Sequence, residues 1–207
     1  MYHLIKFNII PVINANGLFA PFRAKTMQRN IKDLTNFYIS IGADNIRHTR
    51  KTLLAHAIGV YQGLYNQGCC ENVCHAGLFH SIYGTELFQR FKLPLQRRAD
   101  LRALIGEYAE KLVFINCFIN RASLDQQVGR TQGPYTLTNR ENGEHISLEK
   151  DEFNDLVMVH LYDHLEQVAR SQQWHYRRDE YHAMARRFGG SVVETYENVF
   201  ARETKDA

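Results

Sequence analysis

Nowhere in this 207-residue chain does an apolar run approach the roughly 18 residues a membrane-crossing helix needs, so no span is expected. The opening stretch, MYHLIKFNIIPVIN, lacks both a basic leader and a small-residue cleavage site. It therefore does not read as a signal peptide, and a cytoplasmic location is the default expectation. Only four cysteines occur, Cys69, Cys70, Cys74 and Cys117, without the spacing of a disulfide framework. The first three cluster with His75, but a structural zinc site takes a second ligand pair at matching distance, and Cys117 stands alone. Thiols packed between helices are the better reading. A large excess of one sign of charge is also missing: a formal net charge of +3 gives no reason to expect nucleic acid as a partner. There is no internal repeat, low-complexity tract or linker rich in Pro, Gly and Ser, which suggests one domain over residues 1–207. What is there is a globular composition, 44% hydrophobic and 23% charged, long enough to bury a core.

Apolar spacing predicts helices over 25–38, 49–67, 71–83, 151–170, 175–188 and 192–202. Residues 96–120 read as one long helix or two joined near Gly106, and Gly68 sits where a left-handed helix cap is expected. Between them, Tyr135-Thr-Leu-Thr and His145-Ile-Ser-Leu alternate on either side of Asn142-Gly143, the pattern of a small hairpin. The expected fold is an all-α bundle with a β-hairpin insertion. That insertion could cover a cavity mouth or decorate the surface.

Helical wheels place His56 with Leu53, Val60 and Leu64, and His80 with Val73, Ala76, Gly77 and Tyr83. Asp163 shares an arc with Phe153, Leu156 and Val157, and His160, His164 and Gln167 lie on the same arc. Three helices thus turn polar groups toward the core, where each must be hydrogen-bonded, ion-paired or metal-bound. Two imidazoles and a carboxylate suit one divalent cation with open positions. Separate hydrogen bonding of each group is the plainer alternative.

The order of LLAHAIGVYQGL, CHAGLFHSIYGTE and LVMVHLYDHLEQVAR resembles the HD-domain superfamily of metal-dependent phosphohydrolases, nearest to the alarmone (ppGpp) hydrolase branch of the Rel/SpoT proteins. IGEYAEKLV adds to the likeness, which covers about residues 47–170. An uncharacterised HD-like group with the His-Ser-Ile-Tyr-Gly-Thr stretch is also similar. The resemblance implies a helical HD-like core over about 47–170, followed by C-terminal helices over 175–203. It implies His56, His80 and Asp163 as metal ligands. The aspartate of the His-Asp doublet is Ser81 here, and the acidic pair that follows it in the alarmone hydrolases falls on Gly84 and Thr85. A single ion of Mn, Fe or Zn is therefore the expected cofactor, not a pair.

The expected activity is hydrolysis of a nucleotide or another small phosphate ester. Ser81 would hydrogen-bond water at the metal, Glu86 or His160 would move protons, and His48 would line the cavity, eight residues before His56. Arg47, Arg50 and Tyr83 are the remaining candidates for contact with substrate. One alternative is a mononuclear non-haem iron oxygenase with Tyr83 and Tyr135 near the substrate. Another is a metal-free ligand-binding or scaffolding bundle. Arg177-Arg178 and Arg186-Arg187 could form a basic stripe for an acidic partner, though a solvated face is the better reading, and Trp174 reads as packing. A small molecule is the expected partner, with no membrane, and a homo-oligomer is left open.

Overall fold

Each helical period becomes a helix in a computed structural model that describes residues 21–203, with side chains from residue 31. The chain divides into two compact units, residues 1–37 and 38–207. The expected core and the C-terminal helices both fall in the second. In the first, the described part is helical, within α1 (Pro21–Ser40).

The second unit begins with a tight antiparallel pair, β1 (Arg47–His48) and β2 (Lys51–Thr52), joined through Thr49 and Arg50 at φ 36° and 61°. The helix expected from residue 49 consequently starts later, as α2 (Leu53–Asn66), where the Thr52 hydroxyl accepts the Ala55 N–H at 3.2 Å. Gly68 takes φ 85° after its end, as the cap pattern predicts. Next comes α3 (Glu71–Phe79), which ends four residues before the expected boundary. His80 is its C-cap, and the chain then turns through Gly84 at φ 82°.

Gly106, at φ 87°, separates α4 (Arg98–Ile105) from α5 (Glu107–Phe118). The sequence reading missed α6 (Arg121–Val128), whose N-cap Asn120 accepts the Ser123 N–H at 3.1 Å. The hairpin of β3 (Tyr135–Thr138) and β4 (His145–Leu148) has the expected strands, with Tyr135 opposite Leu148. A capping box of Glu149 and Glu152 opens α7 (Lys150–Ser171). α8 (Arg178–Phe188) and α9 (Gly190–Phe200) follow. The fold is all-α with small antiparallel strand pairs, and no described helix is long and apolar enough to cross a membrane.

The helices carrying His56, His80 and Asp163 pack against one another: α2 on α3, and both on α7. Small residues make this approach close. A Cβ on Gly77 would run into Leu64 and approach Val60 to 3.3 Å, and one on Gly63 would lie 2.7 Å from the Tyr162 ring. The alternating hairpin buries Tyr135 and Leu137 and stacks Tyr135 on Phe153 of α7, centroids 4.1 Å apart.

Candidate metal centre

His56 lies in the first turn of α2, His80 at the C-cap of α3 and Asp163 midway along α7. All three are buried, and their ligand-type atoms meet. His56 Nε2 stands 3.2 Å from His80 Nε2 and 3.1 Å from Asp163 Oδ1, and His80 Nε2 is 3.3 Å from the same oxygen. Atoms bound about 2.1 Å from a common cation stand about 3.0 Å apart at right angles and about 3.4 Å apart at tetrahedral angles. The observed triangle falls between these edges.

The outer atoms fix which nitrogens face inward. His80 Nδ1 donates to the Gly77 carbonyl at 2.8 Å, and His56 Nδ1 donates to Glu166 Oε2. With both rings neutral, each Nε2 lone pair then faces the Asp163 carboxylate, the arrangement of metal-bound histidines backed by a carbonyl or carboxylate. Three acceptors this close repel one another. A shared proton relieves one pair, whereas a cation relieves all three.

The charges reflect this crowding. Burial pushes the His56 pKa down, but Asp163 and Glu166 outweigh it and raise it to about 9. Burial likewise opposes ionisation of Asp163, yet His80 and His56 hold its carboxyl well below the usual range. Glu166 is lowered to about 2: His56, Arg170 and Lys51 overcome its burial. Arg170 Nη2 and Lys51 Nζ reach its carboxylate at 2.5 and 3.0 Å. Gly59 makes room for that carboxylate, since a Cβ there would lie 2.6 Å from Glu166 Oε1.

His80 and Asp163 line a cavity of about 330 Å³, at the small end of the roughly 300–1,000 Å³ typical of ligand pockets. Among the described residues Asp163 is the sole carboxylate on its wall, against Arg47, Arg90 and Arg121. Ser81 lines it too, with its buried Oγ lacking a hydrogen-bond partner among the described residues. So does His48, whose ring stacks on His56 at 4.3 Å. Burial and the neighbouring His56 lower His48 to about 4.

Other expected residues stand elsewhere. The Glu86 carboxylate accepts the Arg121 backbone N–H at 3.0 Å and is not on the cavity wall. His160 is sealed between Asn116 Oδ1 and Arg177, which donates to its Nε2 at 2.9 Å; burial and Arg121 keep it neutral. Tyr83 donates to Glu110 at 2.9 Å, Arg50 is exposed away from the wall, and no residue of the 131–148 hairpin segment lines the cavity. Tyr135 packs against α7 and donates to the Arg130 carbonyl at 3.2 Å. The cysteines near His75 are free and form no convergent ligand set among the described residues.

Sequence reasoning missed Glu166, Arg170, Lys51 and Arg121. Glu166 had a local signal, three residues after Asp163 on one helical face. Arg121 had none.

A family model described as a domain of unknown function (DUF6817) matches residues 37–121, a segment that holds His56, His80 and Ser81 and ends before Asp163. No curated protein and no solved structure matches the chain.

Proposed function

We propose that residues 38–207 form an HD-like mononuclear metal centre that hydrolyses a nucleotide or another small phosphate ester. The observation that carries this reading is the triangle of His56, His80 and Asp163, with edges of 3.1 to 3.3 Å and both Nε2 atoms left free by outer hydrogen bonds. A divalent cation of Mn, Fe or Zn held there supplies a Lewis acid for a phosphoryl oxygen and lowers the pKa of water toward neutrality. The chain's own groups do the rest. Glu166 fixes the His56 tautomer, and Ser81 offers its hydroxyl beside His80. His48 and His164 are imidazoles on the cavity wall that burial keeps neutral, so they can offer hydrogen bonds to a substrate without carrying charge. Arg121, the partly buried arginine of that wall, favours an anionic substrate.

Two observations favour other readings. Two histidines and one carboxylate are also the donor set of non-haem iron oxygenases. The raised His56 pKa fits a metal-free network with an imidazolium between carboxylates. Metal analysis of protein purified without chelator, followed by phosphate release from a nucleotide panel, separates the three. The expected result is about one equivalent of Mn, Fe or Zn and phosphate release that His80→Ala abolishes. Protein that stays metal-free in the presence of all three ions overturns the enzymatic readings. Oxygen consumption by an iron-loaded form without phosphate release selects the oxygenase.

A further inference from the structure

On the basis of the metal-centred hydrolase reading, we infer that a phosphoryl group of the substrate is received by Arg121 with His164 and Ser81, and not by the cations ahead of α2. Among the described residues, the buried side-chain polar atoms without a hydrogen-bond partner are His48 Nδ1, Ser81 Oγ and His164 Nε2. All three belong to residues of the one cavity that also holds His80 and Asp163. Buried polar groups are almost always satisfied, so orphans gathered on one wall point to a polar guest that completes them. Ser81 and His164 are only 1% and 5% exposed.

Arg121 contributes the charge. It lies on the same wall, partly buried, and its Nη1 donates to the Tyr176 hydroxyl at 3.0 Å. It forms no ion pair among the described residues, whereas the partly buried Arg98, Arg170 and Arg177 each hold a carboxylate. A guanidinium fork with one nitrogen anchored and no ion-pair partner among the described residues is prepared for the oxygens of a phosphoryl group. The ring of His164 is held for the same guest by Tyr181, stacked on it at 3.7 Å and 3°. Arg47 also lines the cavity but is exposed, and Arg50 does not line it. Hydration of these two side chains leaves them little to gain from an anion.

Calorimetric titration of the full chain with inorganic phosphate tests the assignment, on Mn-loaded and on chelator-stripped protein, with acetate as a planar anion for comparison. Metal content and circular dichroism are read on every sample. Arg121→Gln is expected to weaken phosphate binding at least tenfold with metal content unchanged, and Arg121→Lys and Ser81→Ala to weaken it by smaller factors. Arg47→Gln and Arg50→Gln should stay within twofold of the parent. Should Arg121→Gln not fold, Arg121→Lys and Ser81→Ala decide. Parental phosphate affinity in the folded Arg121 variants, no phosphate binding by the parent, or a preference for acetate overturns the subsite. Arg121-dependent phosphate binding by a chain that takes up no metal keeps the subsite and removes the hydrolase reading instead.

Discussion

At His80 the consequences are the most direct. Its Nε2 makes two edges of the donor triangle, while its backbone carbonyl is held independently by Asn116 Nδ2 at 2.8 Å and by the Cys117 thiol. His80→Ala should therefore lower bound metal at least tenfold without unfolding the chain, as read by metal analysis beside circular dichroism. Glu166→Gln keeps the shape of the His56 partner and removes its charge; a loss of roughly 10–100-fold in metal affinity is expected from a competition titration. A different carboxylate governs acid stability. Glu110 is 0% exposed and accepts from Arg98, Arg102 and Tyr83, and these bonds overcome its burial and hold its pKa below the usual 4.5. Because the folded pKa is depressed, this stabilisation is present above pH 4.5 and is lost as pH falls through the folded value. Acid titration of Glu110→Gln should show a shallower loss of stability below pH 4.5 than the parent, and Glu110→Ala should cost about 1–3 kcal/mol at pH 7 in urea unfolding. His56, His80 and Asp163 were legible as candidate residues because each interrupts an apolar face. Glu86 and His160 were equally suggestive in sequence, and their partners proved to be the Arg121 amide and Arg177.

Elements decide how near those residues come. α2 and α3 approach over Gly77, and α2 approaches Glu166 of α7 over Gly59. Gly77→Val should cost roughly 1–3 kcal/mol by overpacking, measured by chemical denaturation. Gly59→Ala, with its Cβ against the Glu166 carboxylate, should weaken metal binding while leaving the thermal midpoint less affected than Gly77→Val does. The helices and the 135–148 hairpin were legible because their periods of 3.6 and 2 are local. α6 escaped notice because a run of eight residues, Arg121–Val128, carries too few apolar positions to establish a period. The end of α3 at Phe79 escaped for a related reason: the small-residue pattern runs on, and Asn116 and Cys117 of α5 take over the His80 carbonyl.

For the molecule as a whole, a ligand that binds only the folded state raises its stability by mass action. Mn, Fe or Zn at about 100 times its dissociation constant should add ~2.7 kcal/mol, a rise of roughly 5–10 °C in the thermal midpoint for a chain of this size. The rise should vanish in His80→Ala, as differential scanning calorimetry would show. The sequence by itself determined the helical class, the hairpin strands and the polar residues that interrupt apolar faces, because all of these are written in the spacing of near neighbours. Only the tertiary structure decided that Nε2 of two helices meets Oδ1 of a third, that Glu166 stands behind His56, and that Arg121 shares a wall with Ser81 and His164. Those meetings join residues up to 110 positions apart. They depend on how helices cross and how closely their small residues let them pack, which no local period encodes.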